Sequence, residues 1–230
     1  MTRVLVPVAI VEGETISRGL IDLLASMDVT VLGYMEPPDQ TSPEQAKDQF
    51  EDRAVAALED FVEDFRDAGG HADYRLVFTP DRKQTVDRFT RETGSVAHAV
   101  VGTASGIDRL LVSLSGDVKS DRIVAFVEEL IDGRDIEVTL IASGESAKDD
   151  RLDRGARRLG DAGISVKTRR RKAKEFDALV ESVAGHDAIV MGQKAPSLSS
   201  LLFGDEAERM ATASVGPVLV VHPEYRESAE

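Results

Sequence analysis

The side chains best suited to binding chemistry gather in the second half of the chain. Lys167-Thr168-Arg169-Arg170-Arg171-Lys172-Ala173-Lys174 places six bases in eight residues, and Lys194 lies in a segment that opens at Gly192-Gln193 and closes at Gly204-Asp205. Bases of this kind hold phosphates, and glycines let backbone amides come close to an anion. Two readings stand. Either Arg170, Arg171, Lys172 and Lys194 build an anion pocket, or the run is a solvated stretch paired with acids such as Asp149, Asp150 and Asp153. Ser197, Ser199 and Ser200 likewise either donate to phosphate or cap the helix they open. The histidines, His71, His98, His186 and His222, show no spacing that suggests a shared metal or a general base. With no Gly-x-Ser-x-Gly elbow, Walker lysine loop or His-Glu-x-x-His pair, the sequence does not support an enzyme.

The chain has 230 residues, room for one large domain or two of ordinary size. Its 28 bases and 42 acids give a formal charge of -14, so the long-range field repels nucleic acid and anionic membranes. The absence of cysteine removes disulfides, thiolate zinc sites and cysteine nucleophiles. Met1-Thr2-Arg3 runs straight into Val4-Leu5-Val6-Pro7-Val8, too short and too lightly flanked for a signal peptide or membrane span. A cytoplasmic protein without direct membrane insertion is expected.

These side chains need a scaffold, and the apolar pattern supplies an α/β one, with strand-length runs alternating with stretches of helical period. Val4–Val8 reads as a strand, and Ile16, Leu20, Leu23 and Leu24 follow as a helical stripe. Val29–Leu32 is the next strand. Phe50, Ala54, Ala57, Leu58, Phe61, Val62 and Phe65 then form the strongest helical stripe, ended by Gly69-Gly70. Tyr74–Phe78, a short helix around Thr85–Glu92, and Ala97–Val101 complete the first half.

The second half repeats this order. Arg109-Leu110-Leu111-Val112 echoes Arg3-Val4-Leu5-Val6, Val138-Thr139-Leu140-Ile141 echoes Val29-Thr30-Val31-Leu32, and Ala188-Ile189-Val190-Met191-Gly192 echoes Ala99-Val100-Val101-Gly102. Helices are expected on Ile123, Phe126, Val127, Leu130 and Ile131, from about Glu145 to Leu159, and on Phe176, Leu179, Val180 and Val183. The second half then adds a helix from about Leu198 to Ala213 and a strand, Pro217–Val221, that the first half lacks. The run from Arg109 to Ser115 suits either the last strand of the first unit or the first strand of the second. Ser115-Gly116-Asp117, a strand-to-helix turn, favours the second. The expected units are therefore 1–107, without its last helix and strand, and 108–230.

The opening Val4–Val8 strand, the Gly192 to Gly204 segment and the ending Gly216-Pro217-Val218-Leu219-Val220-Val221 resemble the universal stress proteins. The resemblance implies two tandem Rossmann-like (adenine nucleotide alpha hydrolase-like) parallel-sheet units, the first truncated. It also implies a regulatory, stress-adaptation role without catalysis. Many members bind ATP through an acidic residue at the end of the first strand and a Gly-x2-Gly-x9-Gly-Ser/Thr loop after the fourth. In the second unit Gly192 is in place, Ala195 stands for the second glycine, and eight residues, Pro196 to Phe203, precede Gly204, one fewer than the pattern. Asp205 stands for the hydroxyl residue and would repel phosphate. Ser115 stands at the acidic position, with Asp117 two residues on.

In the first unit Ala9 takes the acidic place, and Gly102-Thr103-Ala104-Ser105-Gly106 leads into a strand. The expected site is thus a degenerate cleft formed by Ser115, Gly116, Asp117, Arg170, Arg171, Lys172, Gly192, Gln193, Lys194, Ser197, Ser199, Gly204 and Asp205. No cofactor is required and no metal is expected; ATP or AMP in the second unit is the alternative, as is service to a membrane transporter. A homodimer through the edge of Pro217–Val221 is a further expectation. Residues 1–107 carry 10 bases and 19 acids, net -9, and 108–230 carry 18 and 23, net -5, so an anion is better placed in the second unit. With 8 Lys beside 20 Arg and 23 Asp among the acids, the surface resembles those of salt-loving microbes. Stability is therefore expected to rise between low and high KCl, and unfolding curves that coincide would contradict it.

Overall fold

The computed structural model describes residues 1–10, 13–36, 43–79, 81–115, 118–143, 150–171, 182–193 and 216–224. Strand β1 (Arg3–Ala9) is followed by α1 (Arg18–Leu24), β2 (Asp28–Met35), α2 (Pro43–Asp67), β3 (His71–Phe78), α3 (Arg82–Glu92) and β4 (Ala97–Val100). Then come β5 (Arg109–Ser113), α4 (Ser120–Ile131), β6 (Glu137–Ser143), α5 (Arg151–Asp161), β7 (Val166–Arg171), β8 (Ala188–Gly192) and β9 (Val218–Val221). The expected helices on Phe176 to Val183 and Leu198 to Ala213 lie largely or wholly outside the described residues. The helix expected from Glu145 is described from Arg151 onward.

The nine strands among the described residues form one sheet, in the order β3-β2-β1-β4-β9-β8-β5-β6-β7. The central strands are apolar on both faces, as buried parallel strands must be. Val4, Val6 and Val8 join the large core with α1, α2, α4 and α5, while Leu5 and Leu32 on the opposite face pack on Val86 of α3. Helix α4 inserts Ile123, Val124, Phe126, Val127, Leu130 and Ile131, at about 1.5–3 kcal/mol for each large side chain. Strand β5 pairs with β6 and β8, which makes Arg109–Ser113 the centre of the second half.

Strand β9 joins the halves. It runs parallel to β8 and antiparallel to β4, with Ala97 opposite Val221 and Val100 opposite Val218. Both edges of β9 are therefore hydrogen bonded within the chain. The free edge that the homodimer through Pro217–Val221 required is taken by β4, which the missing fifth strand of the first half would otherwise leave unpaired. The seam is tight: a Cβ on Gly216 would collide with the Asp187 carbonyl oxygen, so no larger residue fits.

A second tie spans the helical layer. Helix α4 ends at Asp132 in the left-handed conformation (φ 45°), and the chain turns through Gly133 to Arg134. The Arg134 guanidinium donates to the carbonyls of Asp22 (2.5 Å) and Leu23 (2.8 Å) at the end of α1, and to that of Ile131 (3.0 Å) at the end of α4. One cation thus satisfies the orphan carbonyls of two helices from opposite halves. Among the described residues no helix is long and apolar enough to cross a membrane. Replacing Arg134 by Ala should cost about 1.5–3 kcal/mol, and Lys should recover only part of that because it lacks the planar fork. Urea unfolding measures both, and an unchanged midpoint in the Ala variant would contradict the tie.

Candidate functional site

The expected cleft lies at the C-terminal ends of β5 and β8, adjacent parallel strands, where open α/β sheets hold ligands. Ser115 follows β5 and is buried, its amide 3.5 Å from the Ser113 hydroxyl. Gly192 closes β8. A Cβ there would meet the Val118 Cβ at 2.8 Å and Ile123 Cδ1 at 3.4 Å. The glycine is thus accounted for by the packing of two apolar side chains from the start of α4. Gln193 follows; its amide donates to the Val221 carbonyl (2.7 Å) and its side-chain nitrogen to Asp87 Oδ1 on α3 (3.2 Å). Gln193 therefore bridges the halves.

Arg170 lies two strands away on β7, about 10 Å at ordinary strand spacing, and its guanidinium pairs with Asp153 at 2.7 Å. Lys167 pairs with Glu137 at 2.6 Å. Lys167's ammonium holds the Glu137 carboxyl below its ordinary range through its hydrogen bond, which outweighs desolvation. These contacts match the paired reading of the basic run, with Asp153 among the expected acids. Arg171 ends β7, opposite Ser143 in the register. Gly116, Asp117, Lys172, Lys194, Ser197, Ser199, Ser200, Gly204 and Asp205 lie outside the described residues.

The corresponding place in the first half is filled by the chain itself. The Glu14 carboxylate accepts from the Ala9 amide at 2.6 Å, so a carboxylate reaches the end of β1 from the following loop. The Ala104 carbonyl accepts from the Gly19 amide at 2.9 Å, in the first turn of α1. Two donors that an incoming anion would need are engaged by protein oxygens. Glu14 lies in a loop, where no periodic signal in the sequence marks its contact.

Two histidines meet at the seam, a contact sequence spacing could not show. His98 of β4 and His222, just past β9, are buried, with Nδ1 of His98 2.6 Å from Nε2 of His222. Nε2 of His98 has no partner. A buried lone pair is cheaper to leave alone than a buried N–H, so His98 Nδ1 donates and His222 Nε2 accepts. His98 is pushed down to about 3 by burial, then by His222 and Arg82; His222 is pushed down to about 4 by burial and Arg122. Both are neutral at physiological pH. The Arg122 side chain also donates to the His222 carbonyl at 2.7 Å. His186 is separate, its ring nitrogens 2.9 Å from the Ser182 carbonyl and the Thr139 hydroxyl. Among the described residues, no group of three or more His, Asp and Glu side chains is placed to hold a metal ion.

No family model matches the chain, and no curated protein matches its sequence. Solved structures do. A universal stress protein from Archaeoglobus fulgidus superposes with a TM-score of 0.60 at 16% identity, covering 96% of each chain. A protein of unknown function from Pseudomonas aeruginosa superposes at 0.52 and 14% identity, over 97% of this chain and 93% of that one. At these identities the likeness establishes a shared α/β fold.

The neutral His98–His222 pair makes stability depend on pH in a defined direction. Below about 6.5 the unfolded chain takes up protons that the folded pair refuses, so stability should fall from neutrality toward pH 5, above the main carboxylate range. The slope is up to about 1.4 kcal/mol per pH unit for each imidazole. Unfolding free energies for the native chain and a His98→Leu, His222→Leu variant measure it. A variant with the native slope would contradict the assignment.

Proposed function

We propose that this protein is a tandem universal stress protein, a non-enzymatic regulatory protein of stress adaptation whose nucleotide clefts are degenerate. Residues 1–107 and 108–230 form its two units, the first borrowing β9 in place of a fifth strand. The observation that carries the reading is the occupation of the first cleft. Glu14 sits on the Ala9 amide and the Ala104 carbonyl on the Gly19 amide, where backbone amides and a helix N-terminus would otherwise receive phosphate. The first unit on this account is structural, since a fold persists when its site is lost.

The second unit is the place for any residual ligand. Ser115 and Gly192 lie at its sheet edge, but Val118 and Ile123 occupy the space beside Gly192 and Arg170 is committed to Asp153. Its lower net charge favours the rival reading, ATP or AMP held there. Mass spectrometry of small molecules released from the purified protein at high salt separates the two. The proposal expects no nucleotide, and no phosphate release when ATP and Mg²⁺ are added. Stoichiometric ATP or AMP, or steady phosphate release, would overturn it.

A further inference from the structure

The two ends of the sheet carry opposite charge. At one end α2 and β3 together hold ten acids and four bases, net -6. At the other, the elements in the same position of the repeat, α5 and β7, hold eight bases and two acids, net +6. Among the described residues strands β3 and β7 are terminal, each paired on one side, to β2 and to β6. Lys167, Thr168, Arg169 and Arg170 are exposed along β7, and Arg169 has no ion pair among the described residues. At the opposite end Glu59, Glu63 and Asp67 of α2 and Asp73 of β3 line an open groove together with Arg66 and Arg75, four acids to two bases.

We propose that copies of this chain associate end to end, the β7 edge of one docking against the β3 edge of the next. Strand direction permits it. Because β4 and β9 are antiparallel and the remaining pairs are parallel, β3 and β7 run in opposite directions, so similarly oriented copies bring them together antiparallel. Helices α2 and α5 pack on the same core face, so the acidic helix of one copy comes to lie beside the arginines of α5 in the next. Like charges oppose the two symmetric alternatives, β7 on β7 and α2 on α2. The contact is therefore heterologous, and repetition makes an open array rather than a closed dimer. One local adjustment is required: the Tyr74 carbonyl on β3 is held at 2.8 Å by the Arg75 guanidinium, which must swing away if that carbonyl is to pair.

Sedimentation velocity over a wide concentration range tests the contact on the full chain, with far-UV circular dichroism confirming that each variant is folded. The native chain should self-associate reversibly. Arg154→Glu with Arg157→Glu on α5 alone, and Glu59→Lys with Glu63→Lys on α2 alone, should each weaken association by about tenfold or more. In an equimolar mixture the reversed α2 of one variant faces the reversed α5 of the other, and its native α5 faces a native α2, so association should return. Arg75→Ala should strengthen association. The sites lie on separate elements, so a folding defect in one variant leaves the other to decide. A native chain monomeric at every concentration, reversals without effect, or a mixture that fails to recover would each overturn the proposal. So would association with an added acidic polypeptide and none between copies, which would assign the β7 edge to a different occupant.

Discussion

Unpaired backbone at the edge of an apolar strand is the constraint around which this molecule is arranged. Strand β4 is buried at Ala97 and Ala99, and among the described residues the first half supplies no strand to pair with its outer edge. Buried amides and carbonyls left without partners would cost about 1–3 kcal/mol each. Strand β9 removes that cost for both halves, bonding β8 on one side and β4 on the other. From this ladder follow the continuous nine-stranded sheet, the reversal of strand direction between halves, the need for Gly216 and the meeting of His98 with His222. The separation of opposite charges at the sheet ends is another consequence, because the outermost elements of the repeat are placed as far apart as the fold allows.

Polar ties around the ladder have different characters. Arg134 caps two helices at a half-exposed position, so its hydrogen bonds can exchange with water during local opening. Its pKa is held below the ordinary arginine value by burial, partly offset by Asp132 and Asp22, and it remains a cation. The His98–His222 contact is buried and depends on both rings remaining neutral. Gln193 and Asp87 add a partly buried bond between β8 and α3. Together these place the two halves in one relative orientation.

Much of the fold was legible in the sequence because periodicity reports which face of an element is buried. The stripes in α1, α2 and α4 and the apolar runs of β1, β2, β5 and β8 appear where expected, and Arg109–Ser113 pairs with β6 and β8. Pairing across 120 residues leaves no such trace: Val218–Val221 reads as a strand whether its outer edge meets a second chain or β4. The same limit hid the histidine contact. Glycine roles were ambiguous for a related reason. Close approach by a phosphate and close approach by Val118 both demand a missing Cβ at Gly192, and only the neighbouring atoms distinguish them. In the first cleft, Glu14 and Ala104 act through single contacts from loops, where no period exists to reveal them.

The central claim is that β9 makes one cooperative body out of two unequal halves. Native-state hydrogen exchange under increasing urea reads this strand by strand. The account predicts that the amides of β4 and β9 exchange through the same global opening as those of β1 and β5, with a common free energy and a common urea dependence. Exchange of β1 to β4 through a separate opening of lower free energy, while β5 to β9 stay protected, would contradict it.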